Sequence, residues 1–230
     1  MDVLGIPIAA AIPLYAVLDR MGVIQSPAAL SAVVFLAVAG AALWARGVGG
    51  RPLASISVTA FGAVYASGML TFAYLLRHHR FVIDPAAGTV LVLYPVILTW
   101  LSDTGAYFTG RAFGKTKLMP AVSPGKTRAG AVGALVVTLV ASLVYNAMVL
   151  RPVAQLALAP WTAAIFGVVI SAVGQVGDLV ESMLKREAGV KDSSRILPGH
   201  GGILDRLDSL YFALPVAYLI LTRLLLPAPA

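Results

Sequence analysis

Apolar residues run through this chain in long unbroken blocks. They do not form the spaced stripes of a half-buried helix or the alternation of a half-buried strand. The blocks fall at about 3–19, 28–45, 53–76, 88–110, 130–150, 159–185 and 206–227. Each approaches the roughly 20 residues a helix needs to cross a bilayer. The pattern predicts an all-α polytopic membrane protein with about seven transmembrane helices and two long polar loops, 111–129 and 186–205. The first block is the weakest, being short and carrying Pro7 and Pro13. It has no basic start and no small-residue cleavage site before a soluble domain, so it does not read as a signal peptide. Organisation follows the same pattern. Residues 1–87 hold about three helices, and residues 88–230 hold the remaining helices and both polar loops.

Composition agrees. The 230 residues are 59% hydrophobic and 12% charged, with a mean hydropathy of +0.89. A soluble protein with so large a core would need polar helix faces to cover it, and those faces are missing. The chain has no cysteine, which excludes disulfides, thiolate nucleophiles and Cys-ligated zinc or iron–sulfur sites. A net charge of +7 could suggest nucleic acid, but no nucleic-acid motif accompanies it. The placement of the basic residues explains it better. Twelve lie in the connections after the second, fourth and sixth helices: Arg46, Arg51, Arg111, Lys115, Lys117, Lys126, Arg128, Lys185, Arg186, Lys191, Arg195 and Arg206. Five lie on the other side: Arg20, Arg77, Arg80, Arg151 and Arg223. The positive-inside rule then puts both long polar loops and the N-terminus in the cytoplasm, and the C-terminus outside.

The sixth block breaks its apolar character along one line. Ser171, Gly174, Gln175, Asp178, Glu181, Ser182 and Lys185 recur at helical spacing and share one face. A carboxylate near the centre of a membrane helix costs about 2.5–3.5 kcal/mol on insertion scales, so it faces a partner, a wet cavity or a site. Asp178 lies too deep for a short side chain to reach water easily. It belongs either to an ion pair locking two helices or to a metal or phosphate site open to the cytoplasm. The fourth block repeats the theme, with Thr99, Ser102, Asp103, Ala106 and Gly110 on one small, polar face. The seventh begins with Asp205 and Asp208 at i and i+3, where acids also complement a helix dipole. Carboxylates converging at one membrane face need cations, and an oxygen-rich set suits Mg²⁺, which also binds substrate phosphates.

The polar loops carry further candidates. The turn PGHGG at 198–202 lets backbone N–H groups approach a ligand closely, and His200 suits phosphate or loop positioning better than proton transfer. The stretch 110–130 contains GKT twice. Neither is a Walker A loop, because Thr109 and Pro120 stand where its first glycine belongs and no strand precedes either one. What remains is a basic, hydroxyl-rich loop able to hold phosphates or to touch anionic lipid headgroups. These residues describe a polytopic enzyme or transporter with a cytoplasmic cation-and-phosphate site.

The segment ESMLKREAGVKDSSRILPGHGGILDRLDSL, 181–210, resembles the signature of the phosphatidate cytidylyltransferases (CDP-diglyceride synthases). Its Lys-Arg, Lys-Asp, Pro-Gly-His-Gly-Gly and Asp-Arg-x-Asp elements stand at fixed spacing. A second segment, SDTGAYFTGRAFGKTKLMPAVSPGKT at 102–127, is similar to the same family. The resemblance runs from about residue 90 to the C-terminus; the helices before it match only in being apolar. The chain departs from the family by being shorter at its N-terminus by a helix or two. It also carries Ala129 where family members usually have an acidic residue.

The resemblance implies cytidylyl transfer from CTP to phosphatidate, giving CDP-diacylglycerol and pyrophosphate, by metal-assisted attack of the lipid phosphate on the CTP α-phosphorus. It implies an integral protein of the cell (inner) membrane, a catalytic region at 88–230 facing the cytoplasm, Mg²⁺ with room for a second cation, and a homodimer. The roles it suggests fall on matching residues. Asp178, Asp205 and Asp208 would bind metal, with Asp103 as a further ligand or positioning group. Lys185, Arg186 and Arg206 would neutralise phosphate. Ser123, Lys126 and Thr127 would hold CTP phosphates or the lipid headgroup, with Ser182 beside them. Lys191, Asp192, His200, Gly201 and Gly202 would shape the nucleotide side. Two other readings remain at this point. One is a CTP-dependent enzyme acting on another lipid phosphate or a polyprenol. The other is a cation-coupled transporter, which would need polar residues on both membrane sides.

Overall fold

The computed structural model describes residues 2–24, 27–46, 49–194 and 201–227. Helices occupy every predicted block: α1 (Asp2–Arg20), α2 (Pro27–Arg46), α3 (Pro52–Ala63) and α4 (Met69–Arg77), α5 (Pro85–Phe113), α6 (Arg128–Tyr145) and α7 (Arg151–Ala154), α8 (Pro160–Glu187) and α9 (Leu204–Leu224). Single π-helical turns, Val64–Gly68 and Asn146–Leu150, join α3 to α4 and α6 to α7. Counted this way, five continuous helices among the described residues are long and apolar enough to cross a membrane: Pro52–Arg77, Pro85–Phe113, Arg128–Ala154, Pro160–Glu187 and Leu204–Leu224. The two helices before Pro52 are not among these five; the described apolar stretch of α2, Ala32–Ala42, is shorter.

The chain divides into two compact units, Met1–Tyr74 and Leu75–Ala230. In the first, α1 packs on α3 and the π-turn, and α2 packs on α3. The second contains every predicted site residue.

Local chemistry sets the ends of the second unit's helices. Asp84 caps α5 by accepting a hydrogen bond from the Ala87 amide at 2.7 Å, and Pro85 follows at the first turn. Thr127 caps α6 through its hydroxyl, which accepts from the Gly130 amide at 3.1 Å. α8 closes on Gly189 at φ +69°, a left-handed position that suits glycine.

The segment 111–129, expected as a loop, is partly ordered structure. α5 continues to Phe113, and β1 (Lys117–Met119) then pairs antiparallel with β2 (Ser123–Thr127). A second short pairing joins β3 (Leu156–Ala157) to β4 (Leu226–Pro227), tying the chain's last described residues to the turn before α8.

The core of this unit is aromatic and internally hydrogen-bonded. Tyr94 is fully buried and stacks on Tyr145 at 4.5 Å between ring centres, with Phe166 at 4.7 Å. Its hydroxyl lies 2.7 Å from the Ser142 hydroxyl, and Ser142 donates to the Ala163 carbonyl at 2.5 Å. Tyr145 donates to the Val90 carbonyl at 2.8 Å. In an apolar medium each of these groups would be costly without a partner.

Glycines set the helix spacing. A Cβ on Gly130 would sit 2.7 Å from the Ala106 carbonyl of α5, and one on Gly177 would sit 2.8 Å from the Asp208 carbonyl of α9. A Cβ on Gly167 of α8 would collide with the Thr138 carbonyl of α6. Backbones this close bring the polar faces of α5, α6, α8 and α9 together.

Candidate active site

α8 supplies the spine of the site. Ser171, at its buried end, meets Ser102 of α5 at 2.7 Å between hydroxyls. Gln175, one turn on, donates to Ser171 at 3.2 Å. Asp178 follows and forms an ion pair with Lys126 at 2.5 Å, each side chain about a quarter exposed (27% and 26%). Lys126 comes from β2, so this pair fastens the hairpin to the middle of the helix stack. Ser182 donates to the other oxygen of Asp178 at 3.4 Å. Asp103 of α5 and Asp208 of α9 lie within electrostatic reach of Asp178, with Lys126 the cation among them. Three acids and one lysine leave a surplus of negative charge.

The second cluster lies further along α8. Lys185 lies 2.6 Å from Asp205 and 3.1 Å from Glu181. Asp205 is nearly saturated. One carboxylate oxygen takes Lys185; the other accepts from the Ser193 amide at 2.9 Å, the Ser193 hydroxyl at 2.7 Å and the Gly202 amide at 2.7 Å. It therefore joins the segment after α8 to the start of α9. Gly201 lies beside it at φ +76°, where a Cβ would come 2.9 Å from the Asp205 carboxylate. Glu181 is 1% exposed and neither of its oxygens has a hydrogen bond, so Lys185 is its counter-ion. Apart from Asp178, the residues of both clusters come from the segments 102–127 and 181–210.

A family model described as the cytidylyltransferase family matches residues 3–224. The chain belongs to the cytidylyltransferase family. Three relatives within it carry the name phosphatidate cytidylyltransferase. The protein from Haemophilus influenzae is 47% identical over 146 residues, covering 61% of this chain and 48% of its own length. That from Staphylococcus saprophyticus is 47% identical over 137 residues, covering 60% and 51%. That from Bacillus subtilis is 44% identical over 134 residues, covering 58% and 48%. The chain spans about half the length of the curated relatives it matches.

Within this family member the predicted residues fall into two clusters and a periphery. Asp103, Lys126, Asp178, Ser182 and Asp208 form the first cluster; Lys185, Asp205, Gly201 and Gly202 the second. Thr127 is buried as the cap of α6, while Ser123 pairs at the far end of the hairpin with Met119. Arg186, Lys191, Asp192 and Arg206 are exposed, and Arg186 donates to the Val190 carbonyl at 3.3 Å. His200 and Arg195 fall at 195–200, outside the described residues.

Among the described residues, no group of three or more carboxylate or imidazole side chains sits close enough to cage a metal ion. Mg²⁺ does not need such a cage. It is held by one or two carboxylates, with water and substrate phosphates completing its shell. Asp178, Asp208 and Asp103 fit that demand, as hard oxygen donors with excess negative charge. Asp205 fits it less well, because its donors already occupy it.

Sequence reasoning passed over Ser193 and Tyr107. Ser193 supplies both its amide and its hydroxyl to Asp205, which no spacing announces. Tyr107, Arg111 and Lys117 join Asp103, Lys126 and Gln175 around a cleft of about 510 Å³ between α5, the hairpin and α8. Arg111 and Lys117 were visible only as part of the basic loop.

Proposed function

We propose that this protein transfers a cytidylyl group from CTP to phosphatidate. A non-bridging oxygen of the lipid phosphate attacks the α-phosphorus, the α–β bridging P–O bond breaks, and pyrophosphate leaves with the bonding pair. The observation that carries this reading is the union of the SPGKT hairpin with α8 through Lys126 and Asp178. A basic, hydroxyl-bearing loop and an intramembrane carboxylate face meet at one point, in a chain of the cytidylyltransferase family. The nucleophile is already an anion, so no strong general base is needed. The task is positioning and charge neutralisation.

In this proposal Lys126 and Lys185 hold phosphate oxygens. Arg186, Lys191 and Arg206, all exposed, bind the leaving pyrophosphate. Asp205 keeps Ser193 and Gly202 in place and so orders the residues on both sides of 195–200 for the nucleotide. Asp178 and Asp208, with Asp103 beside them, would hold Mg²⁺; Asp205 would join them only by giving up a present donor. When bound, Mg²⁺ would offset phosphate charge. The proposal includes seven membrane crossings with residues 111–129 and 186–205 in the cytoplasm, and a homodimer.

The test gives purified full chain in detergent phosphatidate, CTP labelled at the α-phosphate, and Mg²⁺, with an EDTA control. Label entering lipid only with the metal is the expected result. Label entering lipid from γ-labelled CTP instead would mean phosphoryl transfer and overturn the reading.

A further inference from the structure

The cleft beside the Lys126–Asp178 pair holds two cations that the proposed chemistry does not yet use. Arg111 stands in the last turn of α5 and Lys117 opens β1; both are exposed and both line the cleft. Arg111 donates from Nη1 to the Tyr107 hydroxyl at 3.0 Å. Among the described residues neither Arg111 nor Lys117 forms an ion pair, whereas Lys126 is held by Asp178 and Lys185 by Glu181 and Asp205. Asp103, the carboxylate lining the cleft, faces Lys126 and pairs with neither Arg111 nor Lys117, so the two cations favour an anion from outside. The Tyr107 contact fixes the guanidinium plane and leaves its remaining N–H groups free to grip two oxygens at once.

Charge narrows the ligand. The third cation of the cleft, Lys126, pairs with Asp178, faces Asp103, the carboxylate that lines the cleft, and is already assigned to the reacting phosphates. Arg111 and Lys117 thus offer two positive charges. A phosphomonoester carries about −1.5 to −2 at pH 7, which matches them. A phosphodiester carries one negative charge, and a nucleoside triphosphate carries more than the pair can balance.

Position narrows it further. The same half of α5 exposes Trp100 (61%), Tyr107 (58%), Phe108 (64%) and Phe113 (73%). Large aromatics at the end of a spanning helix mark the membrane–water boundary. Arg111 is interleaved with them in sequence, which suits this end of α5 to headgroup level.

The geometry points to Arg111 and Lys117 as the subsite for the phosphomonoester headgroup of the lipid acceptor, which leaves the α8–α9 side to the nucleotide. This rests on the cytidylyltransferase reading.

The test uses the full chain in detergent and two readouts. Binding of short-chain phosphatidate without CTP is measured by calorimetry, and KM is measured for each substrate. Arg111→Gln and Lys117→Gln should each weaken phosphatidate binding about 10-fold, the scale of one charge-assisted hydrogen bond, and raise its KM alike. The KM for CTP should stay within about twofold, because CTP sits elsewhere. Arg111→Lys, which keeps charge but loses the fork, should fall between. Both residues are exposed, so these variants should fold, and thermal unfolding checks that they do. Glycerol 3-phosphate, a soluble phosphomonoester, should compete weakly, and phosphatidylglycerol, a diester, should not compete. A raised KM for CTP with unchanged phosphatidate binding would place the nucleotide in the cleft and overturn the assignment. So would equal competition by phosphatidylglycerol, which would reduce the pair to a general anionic-lipid contact. Failure of the reaction itself would show differently: phosphatidate would bind in an Arg111-dependent way, yet no α-label would reach lipid.

Discussion

Asp205 has one carboxylate and four donors, and that arithmetic separates it from Asp178. Replacing it by Asn keeps the shape but removes the charge opposite Lys185 and one acceptor. Asp205→Asn should lower turnover on the order of 100-fold, the upper range for groups that orient a site, while the protein still inserts and folds. Near-wild-type labelling of lipid by the folded variant would remove Asp205 from the machinery. His79 makes a different prediction. Burial depresses its basicity below the ordinary value of 6.5, and the Arg80 charge adds to the effect. Its ring nitrogens meet the Thr222 hydroxyl at 3.3 Å and the Phe81 amide at 3.4 Å. The unfolded chain therefore binds this proton more tightly, so the contribution is intact above about pH 6.5 and declines as pH falls below it. Melting temperature should drop from pH 7.5 to about pH 5.5 in the wild type, and His79→Gln should flatten that slope. A slope unchanged in the variant would assign the pH response to other groups. At this scale the sequence announced the need and hid the partner. A lone Asp178 in an apolar block had to be compensated, but nothing in its own helix pointed to Lys126 on a distant hairpin.

Elements were easier to read, for a physical reason. A spanning helix must satisfy its backbone internally, so apolar blocks and helices coincide almost residue for residue. The hairpin escaped because β1 is only three residues and β2 reads SPGKT, with no alternation to betray a strand. Backbone pairing and the Thr127 cap hold it, and neither leaves a hydropathy trace. That cap should be measurable on its own. Thr127→Ala should cost about 1 kcal/mol of stability, the usual loss for a helix cap. The glycine seams should be less forgiving. A side chain at Gly133 would run into Thr109, and one at Gly167 into the Thr138 backbone. Gly167→Val should destabilise by at least about 1–3 kcal/mol, because backbone cannot swing aside as a side chain can. Equal melting of Gly167→Val and wild type would mean that α6 and α8 are not packed this closely.

For the whole molecule, orientation can be measured directly, and the chain is suited to the measurement. It has no cysteine, so a single introduced one labels without background. Ile83, 63% exposed between α4 and α5, and Lys115, exposed just before β1, flank opposite ends of α5. With the basic loops inside, Ile83→Cys should react with a membrane-impermeant maleimide in intact cells. Lys115→Cys should react only in inside-out vesicles. Labelling of both from one side would contradict a spanning α5. The charge count reads direction, yet it reads nothing about how α5, α6, α8 and α9 share their polar faces; close glycine contacts decide that, and they involve residues far apart in sequence.

The amides of Ser193 and Gly202 end on the same oxygen of the same aspartate. Their protons should therefore trade with deuterated solvent as a pair, slowly while Asp205 holds them and quickly whenever it lets go. If substrate loading draws Asp205 toward a cation, the two sites should speed up together at that moment. If the clasp endures through turnover, they should stay slow throughout. A pulse of heavy water during catalysis would thus time the opening of this segment without a label or a mutation.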